Sequence, residues 1–201
     1  MVHTISCFVR NGRLAILPFF AAILLMPNGR ALAEIDFTPR PSVYLAEGMK
    51  MADLKFRDGA REIAYTPPAN WKYEGDPSKL LLIPSNMVQA EASIEKAPTP
   101  VTAVFDAEGM KQLTGRVLAS LPQGSQKVTI VSEEKDPLRI NGKETFGVTI
   151  SSVFFGQAVT TSVVFCNRGK EQLEFKLFCH SADFPELSRL FRGSLFSLQG
   201  F

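Results

Sequence analysis

Few side chains in this sequence could do chemistry. With an N-terminal leader of 33 residues set aside, His180 is the one histidine, and Cys166 and Cys179 are the two thiols. A histidine metal site needs three or four ligands, and a serine or cysteine nucleophile needs a base held beside it. His180 directly follows Cys179 in a stretch that reads as a strand, where neighbours point to opposite faces, so the two form no dyad. Neither glycine-rich phosphate loop, G-x-G-x-x-G or G-x-x-x-x-G-K-[ST], occurs. The acidic cluster Glu133-Glu134-Lys135-Asp136 could touch a divalent cation but lacks the alternating spacing of a calcium loop, and it reads as a solvated turn. Paired-carboxylate hydrolysis depends on a separation in space that sequence spacing does not give. These residues point to a protein that is not an enzyme, with no cofactor and no metal.

What remains is apolar. Sixteen phenylalanines stand against three tyrosines and one tryptophan. Trp71 follows Pro67-Pro68 and has two readings: a lid folded back onto a core, or an exposed platform on which a ligand or partner stacks. Phe154-Phe155 adjoin Gly156, and Phe196 and Phe201 lie near the end of the chain. Aromatic rings in excess of one core form exposed patches, and such patches mark contact sites. Trp71, Phe154 and Phe155 are therefore the candidate binding residues.

The leader has the composition of a cleavable signal peptide. Arg10 and Arg13 precede Leu14 to Met26, thirteen residues without a charge. As a helix that stretch spans about 20 Å, short of a hydrocarbon core of about 30 Å. Pro27-Asn28-Gly29 interrupts it, and Ala31-Leu32-Ala33 fits an A-x-A site, which predicts cleavage between Ala33 and Glu34. The expected location is periplasmic or secreted, with no transmembrane segment after cleavage.

Removing the leader changes the charge. Lys plus Arg falls from 22 to 19 against 20 Asp plus Glu, so the mature net charge is about −1 rather than +2. The basic surface needed for nucleic acid is then missing. The remaining 168 of 201 residues suit a single domain, large enough to bury roughly 70% of its unfolded surface without disulfides. Residues 34–43 read as a loose N-terminal tail. An exported pair of cysteines suggests a disulfide, but Cys166 and Cys179 fall on one hairpin turning at 167–170. One lies beside the turn and the other some 25 Å along the return strand, whereas a disulfide needs Cα atoms within about 7 Å.

The elements that must position these residues follow from periodicity. Strands are predicted at 49–56, 61–66, 79–84 and 89–96, the first two joined through Asp58-Gly59. Asp106 then caps a helix whose Met110, Leu113, Val117, Leu118 and Leu121 recur at helical spacing. Four more strands are predicted at 127–133, 145–155, 158–166 and 171–180. Asp183 caps a last helix with Pro185 in its first turn. Short turns imply antiparallel pairing. The prediction is an α+β fold: a largely antiparallel sheet with two amphipathic helices packed on it, in β4-α-β4-α order.

That order, with Tyr65-Thr66-Pro67-Pro68-Ala69-Asn70-Trp71, the closing meander 145–181, and a last helix running from Asp183-Phe184 to Leu195-Phe196, resembles the PsbP/Mog1-like fold family. That family includes bacterial exported PsbP-like and DcrB-type proteins. The resemblance implies a non-catalytic accessory or binding protein acting on a larger assembly, and it carries over no catalytic motif. The leading expectation is a protein partner in the cell envelope. A small apolar ligand or lipid, held between sheet and helices by surplus phenylalanines, is one alternative, and an enzyme of unrecognised type is the other.

Overall fold

Alternation of apolar and polar residues, clearest from Leu173 to Cys179, favours β-structure over helix in this chain. The computed structural model describes residues 34–46, 48–85, 87–97 and 103–200, and the leader with its cleavage site lies outside the described residues. Six strands come first: β1 (Ile35–Ala46), β2 (Met49–Asp58), β3 (Arg61–Tyr65), β4 (Trp71–Gly75), β5 (Lys79–Pro84) and β6 (Glu91–Lys96). Helix α1 (Ala107–Ala119) follows, then β7 (Gln126–Lys135), β8 (Thr145–Phe154), β9 (Gln157–Arg168) and β10 (Glu171–His180), and finally α2 (Phe184–Leu195). All strand pairs are antiparallel, in a three-stranded sheet of order β1-β2-β3 and a seven-stranded sheet of order β4-β5-β6-β10-β9-β8-β7. The fold is thus α+β with antiparallel sheets and two helices, as predicted, and its order is six strands, helix, four strands, helix.

The two additional strands have identifiable causes. Residues 34–43 are not a loose tail. From Ile35 onward they belong to β1, which pairs with β2 on both sides of an irregularity and buries Ile35 and Phe37. Pro39 and Pro41 obscure this strand in the sequence. It is an edge strand, where a missing N–H costs no ladder bond, and its register shifts between Asp36 and Arg40, around Pro39. Strand β4, at the other sheet's edge, begins at Trp71, three positions after Pro68, and buries only that residue.

The seven-stranded sheet carries a core on each face. On one face Leu80, Leu82, Ile94, Phe175 and Leu177 meet the buried stripe of α2 (Leu187, Phe191, Leu195) and the inner side of the small sheet (Leu54, Phe56, Ile63, Tyr65). On the other, Phe146, Val148, Ile150, Val163 and Phe165 meet Leu113 and Val117 of α1. Asp106 caps α1 as expected, its carboxylate accepting from the Gly109 N–H at 2.8 Å. Asp183 occupies the corresponding position of α2, yet its side chain makes no cap bond. At the seam between the sheets the buried Arg168 guanidinium meets Asp58 and, at 2.8 Å, Glu171.

Candidate functional site

The open surface of the domain follows from a mismatch of lengths. Helix α1 has 13 residues and reaches about 20 Å, while β9 has 12 and reaches about 40 Å. The helix therefore roofs only part of its sheet face, the part formed by Phe146, Val148, Val163 and Phe165. Strand register places Thr161 opposite Ile150 on one side and Phe178 on the other, and Phe178 opposite Glu91. These residues continue the α1 face past the end of the helix, where Ser120 and Pro122 close one wall. The result is a groove of about 420 Å³ whose apolar wall is Phe154, Phe155 and Phe178 and whose polar groups are Thr161, Lys176 and Glu91.

The three rings form a continuous series. Phe154 meets Phe178 edge-on with centroids 6.4 Å apart, and Phe155 tilts against Phe154 at 4.4 Å. Phe154 pairs with Gln157, so Phe155 and Gly156 are the two central residues of the β8–β9 hairpin. Both have positive φ, 47° and 79°, the signature of a type I′ turn. Asn, Asp or Gly favours the first of these positions, whereas a phenylalanine there holds its backbone in the left-handed region at a cost. Its ring gains little burial in exchange, being 86% exposed.

The floor of the groove holds an unusual polar group. Thr161 is 2% exposed, and its hydroxyl has no hydrogen-bond partner. A buried hydroxyl with no partner is destabilising unless something else supplies a bond.

Beside the groove lies a polar trough containing Glu95, Glu174 and Arg116. Burial raises the Glu174 carboxyl above the usual carboxylate range, with the Arg116 guanidinium opposing the shift. Glu95 and Glu174 face each other across β6 and β10, the closest approach to a carboxylate pair near the groove. Each already has a cation: Glu174 pairs with Arg116, and Glu95 lies 3.5 Å from Lys79. Arg116 also donates to Gln172 at 2.7 Å and sits 5.4 Å above the Phe165 ring. The trough therefore positions α1 on the sheet.

The other candidates lie apart from the groove. Trp71 is 8% exposed and stacks on Phe191 of α2 at 6.3 Å, in the core on the opposite face of the large sheet. The structure brings Phe154 and Phe155 together and leaves Trp71 elsewhere, as a lid on the core. Cys166 pairs with Leu173 and Cys179 with Thr160, a separation of about 20 Å along the hairpin, and both thiols are free and buried. Burial pushes Cys166 up to about 11 and Cys179 to about 12. Cys179 faces the core and His180 the other side, so the adjacent pair does diverge. In the acidic cluster, Glu133 accepts from Thr114, Glu134 from Ser132 at 2.8 Å, and Asp136 from the Thr145 N–H at 2.9 Å, so the three carboxylates serve different partners. Among the described residues no group of three or more His, Cys, Asp or Glu is placed to hold a metal ion, and no helix is long and apolar enough to cross a membrane. Sequence reasoning missed Thr161 and Phe178. Both belong to strands that read as ordinary sheet, and only register brings them to the open end of the face.

No protein-family model matches the chain, and no curated protein matches it in sequence. Among solved structures it is similar to the cyanobacterial PsbP protein CyanoP from Synechocystis sp. PCC 6803, at 14% identity and a TM-score of 0.48, covering 89% of this chain and 99% of that one. It is also similar to PA94 from Pseudomonas aeruginosa, a protein of unknown function, at 13% identity and a TM-score of 0.41, covering 81% of this chain and 98% of that one.

Proposed function

We propose that this chain is an exported, non-enzymatic accessory protein that binds an apolar segment of a cell-envelope protein partner through the Phe154–Phe155–Phe178 groove. One observation carries the reading: Phe155 is 86% exposed in a left-handed turn position that Asn or Gly would fill at lower cost. Strain of this kind is retained where a site uses the residue. The exposed ring stands beside a concave wall, so an occupant must cover a tip as well as fill a groove. A protein surface does both, and an aromatic anchor surrounded by a mixed rim (here Lys176 and Glu91) is the usual centre of such a contact. Export rests on the leader, with cleavage between Ala33 and Glu34, and the intact mass of protein recovered from the periplasmic fraction tests it.

The test of binding replaces Phe155 by a photo-crosslinking phenylalanine analogue in cells, irradiates them, and identifies adducts by mass spectrometry. One discrete envelope protein, not captured when the analogue stands at the exposed Arg61 instead, is the expected outcome. Capture of nothing, or of the same set of proteins at both positions, overturns the reading. A second reading, a small amphipathic ligand, is favoured by the unpartnered Thr161 hydroxyl at the groove floor. Native mass spectrometry of gently purified protein would then show a co-purifying mass that Phe178→Ala removes.

A further inference from the structure

The outer face of the small sheet carries a second unsatisfied group, independent of the groove. In β2, Leu54 and Phe56 turn inward to the core, so Asp53 and Lys55 turn to the opposite side. Asp53 is nonetheless only 9% exposed, and its Oδ1 has no hydrogen-bond partner. It lines a cavity of about 590 Å³ together with Ser42, Tyr44, Lys55, Thr66 and Ser197. One wall is fixed by the paired backbone bonds between Ala64 and Gln199, at 3.1 and 3.0 Å, and by the Ser197 hydroxyl, which accepts from the Thr66 N–H at 2.8 Å. Lys55, the cation that lines the cavity, is engaged elsewhere. Lys55 donates to Glu62 at 3.2 Å, and Arg40 is a second cation 3.6 Å from that same carboxylate.

A buried carboxylate oxygen without a hydrogen bond is costly in a folded protein. We infer that the Asp53 cavity is a binding site for a primary alkylammonium group, free or at the end of a lysine side chain. A single carboxylate ringed by hydroxyls does not suit a hard metal ion, which gathers six or more oxygens and usually several carboxylates. It does suit an ammonium, whose three N–H donors can be shared between Asp53 and the oxygens of Ser42, Tyr44 and Thr66. The Tyr44 ring adds a surface on which a cation and its alkyl stem can rest.

The test is an NMR titration of the isotope-labelled protein with n-butylammonium chloride and, separately, with N-acetyl-lysine methylamide. Sodium chloride at equal ionic strength serves as control. Saturable shifts at Asp53, Ser42 and Thr66 are expected with the ammonium probes and not with sodium chloride. A response to both probes supports a site for the ammonium group itself, and a response to the lysine derivative alone supports a site for a polypeptide's lysine. Asp53→Asn should weaken binding at least about tenfold, the size expected for loss of a charged hydrogen bond. The same variant should melt at a higher temperature than the empty wild type. Silence with both probes, an equal response to sodium chloride, or undiminished binding by the Asn variant overturns the inference. Should Asp53→Asn fail to fold, n-butanol as the uncharged isostere decides the matter on the wild type, because a response equal to that of n-butylammonium excludes recognition of charge.

Discussion

If Phe155 is kept for binding, replacing it should separate stability from function. Phe155→Asn exchanges a ring in the left-handed region for the residue a type I′ turn favours. Relief of the backbone conformation is worth about 1 kcal/mol. Against it stands the loss of one aromatic contact, to Phe154 at 4.4 Å. An exposed pair falls at the low end of such contacts, about 0.5 kcal/mol. The variant should therefore be more stable by about 0.5 kcal/mol, which for a domain of this size raises Tm by about 1–2 °C. Binding should move the other way. Truncating an aromatic anchor at the centre of an interface costs about 2 kcal/mol or more, close to a 30-fold loss of affinity for the captured partner. Trp71, the chain's one tryptophan, lies on the opposite face of the sheet and reports unfolding through its fluorescence without touching the groove. Urea and thermal melts give the first quantity, and pull-down titration of the crosslinked partner gives the second. A variant destabilised by more than about 1 kcal/mol would show that the ring packs for the fold, and unchanged binding would remove Phe155 from the site.

Trp71→Ala should cost about 3–5 kcal/mol in urea denaturation, because its ring is buried against Phe191; an equally stable variant would refute the core role. The two helix starts should respond unequally. Asp106→Ala loses a cap bond to Gly109 and about 1 kcal/mol, whereas Asp183→Ala, which has no such bond to lose, should stay within about 0.5 kcal/mol. Cys166 and Cys179, raised by burial to about 11 and about 12, should resist alkylation in the native protein and react at once in urea. Since the folded values lie above the ordinary 9.0, the thiols contribute stability that is fully present below pH 9 and lost as pH rises toward 11–12, so alkaline melts should show a Tm falling from about pH 9 upward.

Much of this architecture is legible in the sequence because its signals are local. Asp58-Gly59 and Gly156 mark their hairpins, the second with the turn one residue earlier than Gly156-Gln157, Asp106 marks its helix, and the alternation from Leu173 to Cys179 marks β10. The misses share a different character. Strand β1 carries prolines that only an edge position tolerates, and edge position is a property of the assembled sheet. The ion pair of Arg168 with Asp58 joins two turn-flanking residues separated by 110 positions, and each, taken alone, reads as an ordinary polar residue beside a turn. Asp183 has the right residue type for a cap, but its own backbone is helical, so its side chain is not aimed at the first turn.

The groove shows why a site of this kind is only half visible in a sequence. Its rings announce themselves, since Phe154 and Phe155 beside a turn glycine are an excess that no hairpin needs. Its floor does not. Thr161 reaches the open end of the face through the pairing of β8, β9 and β10 and through the length of α1 against theirs. If α1 continued two turns past Ala119, helix would cover the position of Thr161, and Phe178 would become core. The Leu121-Pro122 sequence that ends the helical pattern is therefore as much a determinant of the site as the phenylalanines are. Proline stops the helix by removing an N–H and clashing with the preceding turn, and the sheet beyond it stays uncovered.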